Sequence, residues 1–460
     1  MTGADVDAAA GNMRAHAPGP SYQDMLDADT RAVPLLLRVQ SAENLDLSDV
    51  PAERYFSREV HELEKQRIWA RVWQLACREE AIPEVGDTEV YDIAEISILV
   101  VRVGPDEIKA YYNACLHRGR RLRSAAGRVS ELRCPFHGFC WHLDGALKRV
   151  PSAWDFPHVD AEHFGLPEVR VGRWGGFVFI TMDPDAESLE DFLGALPEHF
   201  ERWDLENRYT EAHVEKLLPC NWKIAQESFM ESFHVAATHP QVTTATADTA
   251  SQYDMFGTWS RAITPRGYPS EQLRTQPTQE EMLDSMIDRS LDDPRAVTLP
   301  EGGRARTFVA AGGRERLRQV IGDAVDDFCD AEMVDSFYFT VFPNFHPWGA
   351  FNGLTYRFRP NGNDPETSWM DVWLLRPFRG ERPPAAERHL LGIDDDFTDA
   401  PELGPYARVF HQDVFNMGEI QRGLHTLVLN KPGVTLARYQ ETKIRHFHEM
   451  WDRYMDPQGV

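Results

Sequence analysis

The sequence is poor in cysteine and in basic side chains, and both shortages exclude classes of protein. Six cysteines are spread over 460 residues, which is too few for a disulfide-stabilised scaffold of this size. Lysine and arginine together number 48 against 73 acidic side chains, which gives a net charge of −25. We therefore predict neither a nucleic-acid-binding protein nor one that docks on an anionic membrane, because both need clustered basic residues.

Long hydrophobic runs, a leader sequence and nucleotide-binding motifs are missing as well. The longest apolar runs, at 96–101 and 177–180, have the length of strands and fall far short of the roughly 20 residues that span a bilayer. Residues 1–20 contain no basic segment followed by an apolar one. No glycine-rich dinucleotide or flavin fingerprint is present. We expect a cytoplasmic protein with reduced cysteines that are available for metal binding or catalysis.

Hydrophobic periodicity divides the chain into three parts. Residues 1–50, which begin with an Ala/Gly/Pro-rich stretch, are predicted to be a flexible arm. Residues 51–182 combine a leading helix over 52–72 with short β-branched segments, including 89–103, that are typical of a small antiparallel β domain. Residues 183–460 predict an α+β domain in which helices cover an antiparallel sheet. Its predicted helices cover 221–235 and 405–429, and its predicted strands cover 337–341, 354–358 and 369–375.

Two short Cys/His pairs form the most specific motif. Cys115-Leu-His117 and Cys134-Pro-Phe-His137 each carry one thiolate and one imidazole, and a glycine follows each histidine closely. The four residues are unrelated, or they hold a structural zinc ion, or they hold a Rieske [2Fe–2S] cluster with both cysteines on one iron and both histidines on the other. The flanking glycines favour the cluster, because they let the backbone approach it closely.

A second group of polar residues lies among apolar ones at 221–240. Glu231 lies three residues before His234, on the same face of a helix, and His239 follows five residues later. Five residues turn a helix by about 500°, so both histidines reach one metal only if the helix ends or distorts between them. Together with a carboxylate they would form the open site of non-haem Fe(II) oxygenases. A solvated acidic face is the alternative.

Asp413 is the best candidate for the third ligand of such a site. It lies on an apolar stripe of the predicted helix 405–429. The position of Asp413 on this stripe, taken alone, favours an acid near the start of a helix, where the helix dipole stabilises the negative charge. Its assignment as a metal ligand therefore depends on the other motifs of the chain.

Together these motifs resemble those of Rieske non-haem iron oxygenases, the family that includes the large (alpha) subunits of aromatic-ring-hydroxylating dioxygenases. The likeness covers about residues 50–430 and extends to Asn-Trp-Lys at 221–223 and Gln-Arg-Gly at 421–423. It implies a Rieske domain and a larger, START-like catalytic domain. By this resemblance the cluster ligands are Cys115, His117, Cys134 and His137, and the ligands of a mononuclear Fe(II) are His234, His239 and Asp413.

The resemblance also implies an activity and partners. The chain would be a terminal oxygenase that uses O₂ to hydroxylate a hydrophobic aromatic or polycyclic compound, with electrons from a separate ferredoxin or reductase. It would form a homotrimer, or an α3β3 assembly with a small subunit. Glu231 would be the catalytic carboxylate that bridges His234 and His137 of the partner subunit. A run of arginines beside the cluster, at 118–123, is a candidate dock for the electron donor.

The glutamate at position 231 leaves a second type of reaction open. Many ring-hydroxylating members have Asp at this position, whereas members that oxidise N-methyl groups of quaternary ammonium compounds often have Glu. Those members usually have Cys where this chain has Ser232. Oxidative N- or O-dealkylation is therefore the second interpretation. A Rieske electron carrier without catalysis is a third one, from another class of protein.

Two further expectations concern packing. We expect the substrate pocket to be lined by parts of 245–330 and by apolar side chains near the iron, namely Met230, Phe233, Phe337, Phe339 and Phe351. For each of the aromatic residues taken separately, ordinary core packing is the favoured alternative. We expect the four cysteines outside the cluster motif to serve packing only, namely Cys77, Cys140, Cys220 and Cys329.

Overall fold

Two antiparallel sheets with helices around them make up the chain, which is therefore α+β as predicted. The computed structural model describes residues 19–41, 46–287 and 297–456. Within these ranges one sheet has seven strands, another has eight, and two smaller sheets have three and two strands. No helix in the described ranges is both long and apolar enough to cross a membrane.

The first half of the chain builds the seven-stranded sheet and the three-stranded sheet beside it. The strands of the larger sheet are, in chain order, Gln74–Arg78, Asp87–Ile93, Ile96–Arg102, Ile108–Tyr112, Gly127–Arg128, Glu168–Trp174 and Phe177–Thr181. Those of the smaller sheet are Leu132–Arg133, Cys140–Trp141 and Leu147–Arg149. The β-branched stretch 89–103 is a hairpin, because the chain reverses at Ala94, where φ is +50°.

The leading helix predicted over 52–72 is three shorter pieces. A 3₁₀ turn, Ala52–Tyr55, precedes the α-helix Arg58–Glu64, which begins where the Ser57 side chain accepts a hydrogen bond from the Val60 N–H. A π-helical segment, Lys65–Trp69, then continues it. Trp69, fully buried in this last piece, packs edge-on against a second tryptophan of the catalytic domain at 4.9 Å between ring centroids.

The second half of the chain builds the eight-stranded sheet. Its strands are Arg208–Leu218, Gln252–Phe256, Trp259–Thr264, Ser336–Val341, Phe345–Pro347, Leu354–Asn361, Asp364–Pro377 and Arg388–Leu391. All neighbours pair antiparallel except the first and the last of these, which pair parallel. The α-helices of this half are Leu189–Leu193, Leu196–Phe200, Trp222–Glu227, Val235–Thr238, Gln279–Met286, Ala305–Ile321, Asp330–Val334, Tyr406–Leu427 and Thr442–Met455.

Most predicted elements of this half are confirmed, with one exception. The three predicted strands lie within Ser336–Val341, Leu354–Asn361 and Asp364–Pro377, and the late helix runs over Tyr406–Leu427. The continuous helix predicted over 221–235 is wrong, because the helix that begins there ends at Glu227.

The N-terminal segment is ordered in its described part, although a flexible arm is expected over 1–50. Residues 1–18 and 42–45 lie outside the described residues. The short helices Tyr22–Leu26 and Leu35–Arg38 instead pack on the catalytic domain, where Tyr22, only 2% exposed, donates a hydrogen bond to Asp335 at 2.9 Å. Close to the segment's end, Val50–Pro51 pairs with Gly433–Val434. These contacts fix the segment to the body of the protein.

The two sheets share one hydrophobic core. Phe177 and Phe179 of the first sheet pack edge-on against Phe345 of the second, at 4.9 and 5.3 Å between ring centroids. The two loops with the Cys/His pairs sit on a separate, smaller core that includes Leu132 and Trp141. The loops are thus supported locally and apart from the main core.

Candidate metal centres and active site

The two Cys/His loops have the same backbone turn. In each loop the cysteine N–H donates to the carbonyl five residues later, at 2.8 Å, and the N–H of the glycine four residues later donates back to the cysteine carbonyl. The glycines, Gly119 and Gly138, have φ of +74° and +78°, a conformation that other residues rarely adopt. One local turn, used twice, therefore presents each Cys/His pair.

Burial separates the cysteines from the histidines in this site. Cys115 and Cys134 are 3% and 2% exposed, whereas His137 is exposed. The two imidazoles lie 4.7 Å apart between ring centroids, and His117 stacks on Phe139 at 4.8 Å. Burial raises the pKa of the Cys115 thiol. Thiolates inside and imidazoles outside match a cluster whose inner iron has sulfur ligands and whose outer iron has nitrogen ligands.

The spacing of these four side chains argues against a single zinc ion. Within the described ranges, a set of three His, Cys, Asp or Glu side chains whose ligand atoms lie within 4.8 Å of one another occurs once, and it is not in these loops. A tetrahedral ion needs all its ligands within such a distance, because each lies about 2.0–2.3 Å from the metal. The set fits a larger, binuclear group better.

The set that meets this distance criterion consists of His234, His239 and Asp413. The Nε2 atom of His239 lies 2.8 Å from an oxygen of Asp413, and that of His234 lies 3.7 Å from the same oxygen. Asp413 is 4% exposed and stands in the interior of the helix Tyr406–Leu427. It is therefore not an acid at a helix start, which was the alternative from spacing.

A broken helix brings the two histidines together. After Trp222–Glu227 the chain turns, and a second short helix, Val235–Thr238, ends at His239. In the turn, a carboxylate oxygen of Glu231 accepts the His234 backbone N–H at 3.0 Å. A helix end between the histidines was expected, and the helix Val235–Thr238 does end just before His239. The additional break, between Glu227 and His234, was not expected.

The second ring nitrogen of each histidine is also bound. Nδ1 of His234 lies 2.6 Å from Glu231, and Nδ1 of His239 lies 2.9 Å from the amide oxygen of Gln412. These partners fix both rings with Nε2 directed at Asp413, as outer partners of metal-binding histidines do. Burial opposes the charge of His234, but the carboxylates of Glu231 and Asp413 outweigh it and raise its pKa to about 9.

Gln412 is a residue of this site that sequence reasoning missed. Its neighbour in the chain, Asp413, was recognised, and an amide one residue before a candidate ligand is the only signal that pointed to it. On a helix, adjacent residues diverge by about 100°, so spacing alone does not predict that both side chains reach His239.

The Asn-Trp-Lys motif anchors the helix that leads into the site. Lys223 and Glu64 form a fully buried ion pair at 2.5 Å, and the Trp222 indole N–H donates to the same carboxylate at 3.1 Å. The amide oxygen of Gln421 accepts the Asn221 backbone N–H at 2.8 Å. The motif therefore holds the helix in position without reaching the metal-ligand set itself, and Glu64 is its unpredicted partner.

A cavity of about 220 Å³ opens onto the Asp413 carboxylate. As expected, part of its wall comes from 245–330, through Thr246, Thr264 and Arg266. The other predicted lining residues are wrong: Met230, Phe337 and Phe339 are fully buried in the core, Phe233 faces solvent with 46% exposed, and Phe351 packs against Phe328. The helix break reorients the residues after Glu227. The apolar wall is instead formed by Phe229, Val235, Trp348, Leu354, Tyr356 and Phe410.

Comparison with known proteins identifies both halves of the chain. Residues 72–160 match the Rieske [2Fe-2S] domain, and residues 195–457 match the ring hydroxylating alpha subunit (catalytic domain). The class is thus a two-domain iron protein that combines a Rieske domain with a non-haem iron oxygenase domain. The chain belongs to the family of ring-hydroxylating oxygenase alpha subunits.

Relatives in this family act on different compounds. The glycine betaine monooxygenase oxygenase subunit of Pseudomonas aeruginosa is 27% identical over 53% of this chain and 60% of its own length. The anthranilate 1,2-dioxygenase large subunit of Acinetobacter baylyi is 34% identical over 39% of this chain and 40% of its own. The matches thus span 60% and 40% of the length of these relatives, which is less than two thirds.

Solved structures share the fold. A quaternary ammonium Rieske monooxygenase superposes with a TM-score of 0.64 at 21% identity, over 91% of this chain and all of the other. Naphthalene 1,2-dioxygenase from Rhodococcus sp. superposes with a TM-score of 0.61 at 22% identity, over 90% and 95% of the two chains.

Proposed function

We propose that the chain is the terminal oxygenase of a Rieske non-haem iron system, with a cluster held by Cys115, His117, Cys134 and His137 and an Fe(II) held by His234, His239 and Asp413. The observation that carries this proposal is the presence of two separate ligand sets in one chain, of which the second opens into a cavity. A bare electron carrier needs only the first set, so the second set argues against that alternative.

The iron centres supply the oxygen chemistry, and the chain's own residues prepare the site for it. The pairing of Nδ1 of His234 with Glu231, and of Nδ1 of His239 with Gln412, leaves Nε2 of both rings for metal binding. Apolar side chains such as Phe229 and Phe410 exclude water from the cavity. A metal ion held by His234, His239 and Asp413 would adjoin the cavity, and O₂ and substrate would reach it from that side.

The size of the cavity bears on the substrate. At about 220 Å³ it lies below the range of roughly 300–1,000 Å³ that is common for small-molecule sites. This favours a compact apolar substrate, about one ring in size, over a polycyclic one. Oxidative demethylation is the second candidate, because Glu231 occupies the bridging position and glycine betaine monooxygenase is among the relatives.

Exposed aromatic side chains beside both ligand sets support assembly between subunits. Phe136 precedes His137 and is 56% exposed, while Phe233 precedes His234 and is 46% exposed; Phe415, close to Asp413, is 71% exposed. Large apolar side chains exposed in this way are typical of contact surfaces. We propose a homotrimer in which these surfaces meet, so that the cluster of one subunit donates electrons to the iron of the next.

The electron donor would be a separate ferredoxin or reductase, as the family requires. Of the arginines beside the cluster, Arg121 pairs with Asp92 at 2.9 Å, and Arg118 lies over the exposed Phe136 ring. Some arginines at this edge thus already contact other side chains of the protein. An electron-donor protein would therefore meet a surface that is partly basic and partly aromatic. We place the reaction in the cytoplasm.

The proposal is tested by single turnover with labelled O₂. The protein is loaded with iron, its cluster is reduced chemically, and label is sought in the product of a compact aromatic substrate. Glu231→Gln should retain both metals and lose most turnover, because the neutral amide holds the His234 ring less firmly and breaks the bridge. Glu419→Gln, on the exposed face of the late helix, is the matched control. Incorporation of label by Glu231→Gln at the wild-type level would contradict the bridging role.

A further inference from the structure

One charged side chain in the wall of the cavity has no side-chain partner among the described residues. Arg266 follows the strand Trp259–Thr264 and lines the cavity that contains Asp413. Its backbone is fixed on both sides: the N–H donates to Asp335 at 2.8 Å, and the carbonyl accepts from Arg306 at 2.7 Å. The position of the residue is therefore set by the fold, while its guanidinium group is directed to the cavity wall.

The guanidinium of Arg266 makes no hydrogen bond, ion pair or ring stack with any residue in the described ranges. The nearby carboxylate, Asp335, is already saturated, because Arg306 binds both of its oxygens at 2.5 and 3.0 Å and a tyrosine hydroxyl adds a third bond. Burial lowers the pKa of Arg266, and the nearby Tyr406 and Asp335 oppose this shift.

The buried arginines of this half of the chain are bound either to carboxylates or, as Arg208 and Arg445 are, to backbone carbonyls. Arg261 binds Asp254 at 2.5 Å, and Arg357 binds Asp371 at 2.8 Å. Arg266 is half-buried in the wall of the cavity, and its guanidinium has no such partner among the described residues. The exception at Arg266 therefore leaves a guanidinium available to a negatively charged ligand in the cavity.

Further unused donors lie in the same cavity wall. The indole N–H of Trp348 is buried and has no hydrogen-bond partner in the part of the chain that the structure describes. The hydroxyl groups of Tyr356 and Tyr406 make no hydrogen bond with any described residue. Tyr406 is close enough to interact electrostatically with Arg266, and Tyr356 with both Tyr406 and Asp413. These donors thus extend from the guanidinium towards the metal-ligand set, and an acceptor-rich ligand would satisfy them.

We propose that Arg266 binds a carboxylate of the substrate, and that the substrates of this protein are compact organic carboxylates whose apolar part lies towards His234, His239 and Asp413. A planar guanidinium matches a carboxylate through two parallel hydrogen bonds. The inference rests on the proposed function. Aromatic carboxylates and trimethylammonium carboxylates share the required group, so the experiment includes both.

The test is anaerobic titration calorimetry on the iron-loaded protein with two matched pairs of probes. Benzoate is compared with benzamide, and glycine betaine with choline, so that each pair differs in the carboxylate. We expect at least one carboxylate to bind about tenfold or more tightly than its partner. Arg266→Gln should lower that affinity about 10- to 100-fold, because a hydrogen-bonded charge pair is lost. Arg266→Lys should retain part of it.

Arg274→Gln is the matched control, since it removes an exposed arginine from the same region and should leave binding unchanged. Equal binding within both pairs, no binding of either carboxylate, or wild-type affinity in Arg266→Gln would overturn the proposal. Labelled-O₂ turnover separates it from the proposed function. Binding that depends on Arg266 without oxygen incorporation would leave the carboxylate site standing and contradict the oxygenase. Oxygen incorporation that is unchanged in Arg266→Gln would leave the oxygenase standing and contradict the carboxylate site.

Discussion

The two metal centres of this protein are built in opposite ways. The cluster site takes all four candidate ligands from two short loops with the same backbone turn, each supported by a small local core. The mononuclear site joins a broken helix to Asp413, which lies 174 residues beyond His239 in the chain. The first is a local structure and the second a tertiary one. The two should therefore fail independently, and for different reasons.

The largest expected effect is the loss of one centre without the other. Asp413→Ala removes a carboxylate from a three-ligand site, so we expect loss of the mononuclear iron and of turnover with unchanged visible absorption of the cluster. In Cys134→Ser we expect loss of the cluster and its visible absorption, with the mononuclear iron retained. Metal analysis and visible spectra check both variants. Loss of both centres in either variant would show that they are not independent.

Breaking the buried Lys223–Glu64 pair should destabilise the catalytic domain strongly. Lys223→Met leaves the Glu64 carboxylate buried without its partner, and such changes cost about 3–5 kcal/mol. Urea unfolding followed by circular dichroism measures the loss. Lys431→Met, which removes an exposed pair with Asp49, is the control and should cost less than about 1 kcal/mol. Equal effects of the two variants would contradict the anchoring role of the motif.

A smaller effect is expected at the outer partner of His239. Gln412→Ala removes the acceptor that holds the ring at 2.9 Å, and we expect iron affinity to fall about 10- to 100-fold. Chelator competition measures this affinity. Asn416→Ala, one turn further along the same helix and exposed, should leave it unchanged. The cluster loops, which depend on their own turns, should not respond to either variant.

The last expected effect concerns pH. Burial raises the pKa of Glu227 from its ordinary value to about 8, so the folded protein binds more protons than the unfolded chain between about pH 4.5 and 8. The contribution of this group to the free energy of unfolding therefore decreases as pH rises through that window. Glu227→Gln should flatten the pH dependence of urea unfolding between about pH 5 and 8. An unchanged slope would contradict the assignment.

The contrast between the two centres also explains what could be predicted from the sequence. The cluster loops, the strands and the late helix follow from local patterns, and so does the Rieske motif itself. The helix break after Glu227 could not be predicted, because Glu231 stabilises the turn through a side-chain bond to the His234 backbone. Because of that break, Met230 points into the core and Phe233 to the surface, so neither of them lines the pocket as expected.

The partners that tertiary structure supplies were missed for the same reason. Glu64 reaches Lys223 across 159 residues, and Gln412 reaches His239 across 173. No periodicity links such pairs. Arg266 likewise appears ordinary in a segment rich in arginine and aspartate, and only its isolation in the cavity wall distinguishes it.

The most direct test of the central claim is the iron and acid-labile sulfide content of anaerobically purified protein before and after mild chelation. Two iron centres per chain, one of them a cluster, predict three irons and two sulfides. Chelation should remove one iron and leave the visible spectrum of the cluster intact. A protein that holds zinc, or whose iron all leaves together with the cluster spectrum, would contradict the account.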